Sequence, residues 1–201
     1  TLFLVRASNA SAGRKRLAGV MRRHGVPEAD LQRLEESQIL CGDLQSVRRW
    51  CDDPRIASIE RVVSSAAVAS FGNHPSIWPV NVDGVLAMAR ALQARCRLRR
   101  FLHLGTAMSC GTQAISPVRE DDQPVAGIEH FLQYTESKAE AERRLRAELP
   151  DLPLVVVRPS IVVGHTRLGC LPSGSIYWVF RLARALGTFP CALEQRIDVV
   201  P

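Results

Sequence analysis

This 201-residue sequence is short of several features, and each shortage removes a class of function. No GxGxxG or GxxGxxG run occurs, so the glycine-rich turn that usually cradles a pyrophosphate is missing from these residues. Six cysteines, at 41, 51, 96, 110, 170 and 191, form no CxxC pair, which argues against a zinc ribbon or a thioredoxin-type site. Reduced thiols in a cytoplasmic protein are the plain expectation. No apolar run approaches the roughly 20 residues needed to cross a bilayer. No charged segment followed by an apolar stretch and a cleavage site marks a secretory signal. Aromatics make up only 5% of the residues, leaving no stacking platform for nucleic acid.

What is present fits an ordinary globular domain. Hydrophobic residues reach 46% and charged residues 23%, enough apolar area to offset the entropy of ordering. The net charge of +6 comes largely from short stretches such as Arg14-Lys15-Arg16 and Arg22-Arg23-His24. These read as solvated helix faces, and no nucleic-acid partner is expected.

Short apolar runs alternate with longer amphipathic segments. Strands are expected at 2–5, 37–41, 59–64, 101–104 and 154–157, with helices at about 11–24, 79–95 and 131–149. Strands apolar on both faces and separated by helices imply a parallel sheet covered on both sides, which is a doubly wound α/β fold. The chain opens inside a strand and closes on the strand-like run 197–201, so the expected fold is one Rossmann-like domain over residues 1–201, cut at both ends.

The most informative segment is Tyr134-Thr-Glu-Ser-Lys138. A tyrosine and a lysine four apart on a helix lie on one side, one turn from each other. An ammonium beside a phenol stabilises the phenolate, lowering its pKa from about 10 and making Tyr134 a usable proton donor to a carbonyl oxygen. Some 30 residues earlier, the run Phe101 to Leu104 leads through Gly105 into Thr106. A hydroxyl at the carboxyl end of a central strand stands where open α/β sheets place their ligands, so Thr106 can bond the oxygen that Tyr134 protonates.

Five segments in order then resemble the extended short-chain dehydrogenase/reductase family: Gly42-Asp43-Leu44; Val63-Ser-Ser-Ala66-Ala67; Asn81-Val-Asp-Gly84; Thr106 with Tyr134 and Lys138; and Arg158-Pro159-Ser160-Ile161-Val-Val-Gly164. Within that family the chain is most similar to the thioester reductase and fatty acyl reductase (male-sterility-like) branch. Leu4-Val5-Arg6, the stretch 164–169 and the closing 197–201 carry that likeness.

The resemblance implies NADP(H) as cofactor and a catalytic set of Thr106, Tyr134, Lys138 and Asn81, with Asn81 helping to hold the lysine or its water. It places Asp43 and Leu44 by the adenine, Asp43 accepting from the exocyclic amine. Ala66 and Ala67 line the cofactor trough. Tyr134 and Lys138 meet the nicotinamide end, Lys138 also bonding the ribose, and Pro159, Ser160 and Ile161 flank the ring. Arg6 ends the strand that approaches the adenosine ribose, with no acidic residue in the following 20 positions, and this favours a 2′-phosphate. The resemblance further implies a missing first βα unit and a missing part of the C-terminal substrate region. It implies an acyl substrate on coenzyme A or a carrier, with fusion to or contact with an acyl or peptidyl carrier domain, and no metal.

Two rival readings stay open on the sequence. One is an NAD-dependent nucleotide-sugar epimerase or dehydratase, or a hydroxysteroid-type dehydrogenase; the other is a non-catalytic dinucleotide-sensing or scaffold module. His103 reads as a satisfied core histidine, while His165 falls near the nicotinamide end. Cys110 follows Thr106 closely, but direct hydride transfer needs no thiol. The stretch 172–180 either lines an acyl channel or packs against a further part of the protein.

Overall fold

The computed structural model describes residues 1–70, 72–112, 117–164, 176–189 and 199–200. Its first strand, β1 (Phe3–Val5), runs into α1 (Ala10–Arg23), which starts where the Asn9 side chain accepts the Ala12 N–H at 2.9 Å. A short α2 (Glu28–Gln32) leads to β2 (Ile39–Cys41), parallel to β1. Next come α3 (Val47–Trp50) and β3 (Arg61–Ser64). A π-helical turn over Pro79–Gly84 runs directly into α4 (Val85–Arg95). Then follow β4 (Arg100–Leu104), α5 (Gln133–Glu148) and β5 (Leu154–Val157). The two-residue strands β6 (Ile161–Val162) and β7 (Val199–Val200) pair with each other, with α6 (Ile176–Leu186) between them in sequence.

All strand pairs are parallel, as expected of strands joined by helices. They form separate pieces, β1–β2 and β3–β4–β5, rather than one continuous sheet. Leu2, Leu4 and Leu40 from the first piece share a core with Val62, Phe101 and Leu154 from the second, beneath Leu86, Ala89 and Leu92 of α4 and Leu145 of α5. On its other side the first piece packs Val5 and Ile39 against Leu17 and Ala18 of α1. The second piece is less covered than its apolar pattern suggests. Val63 is 69% exposed, and Val155 and Val157 are about 40% exposed. Coverage on both faces therefore holds for β1–β2 and not for this face of β3–β5.

The helix expected at 79–95 is right in extent, but its opening turn is π-helical. A proline at its start has no N–H to donate, and such turns concentrate where a side chain must be re-aimed. Here the turn carries Asn81. Its last residue, Gly84, lies against the residue that follows Asp43: a Cβ there would stand 2.7 Å from the Leu44 Cβ and 2.8 Å from its carbonyl oxygen. Because one of those atoms is backbone, Gly84→Ala forces α4 away from the 44–46 turn. The expected result is a loss of about 1–3 kcal/mol, measured as a lower denaturation midpoint. An unchanged midpoint would mean that this approach is not tight in solution.

Candidate active site

A candidate segment follows the carboxyl end of each of five parallel strands. Arg6 follows β1, Asp43 follows β2, Ala66 and Ala67 follow β3, Thr106 follows β4, and Pro159 follows β5. Carboxyl ends of parallel strands are where open α/β sheets hold ligands, because the connecting loops leave a crevice there.

The centre of this edge is tightly tied. The Gly105 N–H donates to the Val157 carbonyl at 2.7 Å, and the Ala107 N–H donates to the Pro159 carbonyl at 3.0 Å. Thr106, between them, caps a short 3₁₀ turn over Ala107–Cys110, its Oγ1 accepting the Met108 N–H at 3.3 Å. Helix α5 packs on this turn and so brings Tyr134 and Lys138 to it. Leu132 precedes the helix in an extended conformation, which places Tyr134 in the first turn.

Tyr134 is half-buried and Lys138 is only 2% exposed. Neither side chain makes a hydrogen bond or ion pair among the described residues. Burial drives the Lys138 ammonium down to about 8. Burial also pushes the Tyr134 phenol above its ordinary range. The expected lowering by the neighbouring lysine is therefore not the sign found: burial, which disfavours the phenolate, moves the group the other way.

Asn81 is fully buried in the π-helical turn. Its Oδ1 accepts the Val68 N–H at 2.7 Å, and its Nδ2 donates to the Val68 carbonyl at 3.1 Å and to the Ser137 Oγ at 3.0 Å. Ser137 in turn donates to the Tyr134 carbonyl at 2.7 Å. Asn81 thus joins the segment after Ala66-Ala67 to the helix that carries Tyr134, and its amide makes no bond to Lys138. Ser137 escaped the sequence reading. Its signal was a small hydroxyl residue at i+3 from the tyrosine, and that position identifies no partner.

The outlying positions sort as follows. Arg6 is exposed, and its carbonyl accepts from Arg16 Nη1 at 3.3 Å. Asp43 is half-buried, and its carboxylate is engaged locally: Oδ1 accepts the Gln45 N–H at 3.0 Å and the Ser46 hydroxyl at 2.7 Å, and the side chain also accepts the Ser46 N–H. Leu44 is buried in the core, so its side chain packs inward. Ala66 and Ala67 are exposed, and Pro159, Ser160 and Ile161 are half-buried. His165 and residues 172–175 lie outside the described residues.

His103 is a core histidine, but it is only half satisfied. It has no exposed surface, and its Nδ1 lies 3.4 Å from the Ser64 Oγ while Nε2 has no partner among the described residues. Burial and, secondarily, the charge of Lys138 push it down to about 3, so the ring is neutral throughout the physiological range. Cys110 is buried, and the four described cysteines are all free thiols. The described residues hold no group of three or more His, Cys, Asp or Glu able to bind a metal, and no described helix is long and apolar enough to cross a membrane.

The profile of the family described as Male sterility protein matches residues 1–201. The chain is 26% identical over 217 aligned residues to the nonribosomal peptide synthetase hkm10 of Aspergillus hancockii, covering 98% of this chain and 20% of that protein. It is 23% identical to the aldehyde reductase lnaA of Aspergillus flavus, again covering 98% of this chain and 20% of the relative. Among solved structures it is similar to the terminal R domain of the myxalamid PKS-NRPS biosynthetic pathway, with a TM-score of 0.82 and 21% identity over 98% of this chain and 51% of that one. The chain thus spans about a fifth of these curated relatives and half of that solved domain.

Proposed function

Since the chain belongs to the male sterility protein family, we propose that it forms the nicotinamide-binding core of an NADPH-dependent reductase acting on an acyl thioester or the derived aldehyde. The observation that carries this reading is the pair Tyr134 and Lys138, their heads unpartnered among the described residues, one turn apart on a helix packed against the Thr106 turn that follows β4. A nonribosomal peptide synthetase and an aldehyde reductase among the relatives support the substrate class.

The residues present fit a dinucleotide. Exposed Ala66 and Ala67 leave the backbone after β3 open to close approach. Arg6 is exposed and has no acidic partner among the described residues, as a 2′-phosphate contact requires. When bound, the nicotinamide supplies hydride. Thr106 polarises the substrate oxygen, and Tyr134 donates the proton to it. Lys138 holds the ribose and, as an ammonium, eases proton loss from Tyr134. A thioester reduced in this way becomes a hemithioacetal that collapses to an aldehyde and a thiol; a second pass gives an alcohol. Asn81 acts here as a positioning residue for the helix.

The same reading assigns the first βα unit, with its glycine-rich turn, to the space between the unpaired edges of β1 and β3, where a doubly wound sheet carries its first strand. A carrier domain presenting the acyl group is the expected partner.

The deciding experiment follows loss of NADPH absorbance by the full-length protein offered acyl-CoA thioesters, carrier-bound thioesters and aldehydes. Thioester-dependent oxidation is expected; NADPH binding without oxidation of any of them overturns the substrate class. Arg6→Glu should weaken NADPH binding by about tenfold or more and leave NADH nearly unaffected, as judged by the ratio of the two dissociation constants. An unchanged ratio would remove Arg6 from the cofactor site.

A further inference from the structure

Glu142 lies one turn beyond Lys138, so Tyr134, Lys138 and Glu142 follow at four-residue steps along one side of α5. Its side chain has no exposed surface, and two arginines hold it. Arg158, at the end of β5, donates Nε to Oε2 at 3.0 Å and Nη2 to Oε1 at 2.6 Å. Arg146, on α5 itself, donates Nε and Nη2 to Oε1 at 3.3 and 3.2 Å. The Arg158 side chain is 14% exposed against 36% for Arg146, so Arg158 is the buried partner and the one that bridges two elements.

Arg158 is also joined to the rest of the edge. It immediately precedes Pro159, whose carbonyl takes the Ala107 N–H beside Thr106. A Cβ on Gly105 would stand 3.2 Å from Val156 Cγ1 and 3.5 Å from Arg158 Cγ, so the arginine stem lies over the residue before Thr106. One arginine side chain therefore joins three parts of the site: its guanidinium holds Glu142 on the Tyr–Lys helix, its stem lies over Gly105 before Thr106, and its backbone leads into Pro159–Ile161.

We propose that the Glu142–Arg158 pair is a positioning clamp, setting the distance and rotation of the Tyr134–Lys138 face relative to the Thr106 turn and the 159–161 segment. This inference rests on the reductase reading above. Cohesion alone does not require an ion pair here, since well-packed apolar residues often replace a buried pair at no cost in stability. A planar two-point fork provides direction, which apolar contact lacks. Misplacing catalytic groups by about an ångström costs on the order of a hundredfold in rate.

The test uses the full-length protein and two variants, with fluorotyrosine placed at position 134 as a spectroscopic reporter. Glu142→Leu/Arg158→Met keeps a filled, uncharged core, and Arg158→Lys keeps the charge without the fork. The double variant is expected to melt close to the parent and to keep its NADPH KM within about threefold. Its kcat should fall about a hundredfold and the fluorine resonance should shift. A double variant that melts like the parent and retains both its kcat and its resonance overturns the clamp, leaving the pair a purely structural contact. Should the double variant not fold, Arg158→Lys decides. A kcat about tenfold lower upholds the clamp and a parental kcat overturns it. Should the parent show no NADPH-dependent turnover, the reductase reading fails by itself, and the resonance alone decides: shifted on breaking the pair upholds the clamp, unmoved overturns it.

Discussion

Replacing Tyr134 by phenylalanine should abolish most turnover while leaving the protein as stable as before. The phenolic hydroxyl makes no hydrogen bond among the described residues, so its removal strands no buried partner and costs little in folding. The catalytic loss is another matter. General-acid assistance contributes about 10²–10⁴-fold, and that is the role proposed for Tyr134. NADPH affinity should stay within about threefold of the parent, because the ribose contact assigned to Lys138 survives. Steady-state rates and a direct binding titration separate the two effects. A phenylalanine variant retaining more than about a tenth of parental kcat would dismiss Tyr134 as the donor.

Acid should weaken the fold through His103. The imidazole is pushed from 6.5 to about 3 by burial and the Lys138 charge. Its folded-state pKa lies below the unfolded one, so above pH 6.5 the ring is neutral in both states and contributes no pH dependence. Between pH 6.5 and about 3 the unfolded chain gains a proton that the folded chain refuses, and stability falls with each step of acidification. At about 1.4 kcal/mol per pKa unit the full loss is on the order of 5 kcal/mol, comparable with the whole stability of many domains. Lys138 has the same sign in a different window: stability rises as pH climbs from about 8 to 10.5, where the unfolded lysine holds its proton and the buried one releases it. Denaturant midpoints at pH 7 and pH 4 test the first window. His103→Gln should lose much less between those two values than the parent does. Equal losses would show that other groups carry the acid sensitivity.

These two expectations share a physical origin. The edge that collects the site residues is dry around α5, and dryness makes Lys138, Tyr134 and His103 all resist charge. A site of that kind strengthens any hydrogen bond it makes to a bound oxygen, since there is little water to compete. The same dryness explains why Glu142 must be held by two arginines, for an unpaired carboxylate there would be prohibitive.

Much of the architecture was legible from sequence because it depends on local rules. Strand and helix alternation follows from apolar periodicity, and the Tyr134–Lys138 spacing places both on one helical side whatever surrounds them. Thr106 at a strand end and the ordered set of small motifs needed only chain order. Tertiary structure decided the rest. Asn81 finds its partners 13 and 56 residues away, and Glu142 finds Arg158 16 residues on, distances that no periodicity encodes. The sign of the tyrosine shift reversed, because desolvation depends on everything packed around the phenol, while the lysine's influence was read from one neighbour alone. Leu44 turned inward against Gly84, and His103 lost a partner for one nitrogen, both consequences of how helices close over a sheet. The candidate reacting groups were thus named from short-range order, whereas their charge states and alignment came from burial and long-range pairing, which exist only once the chain has folded.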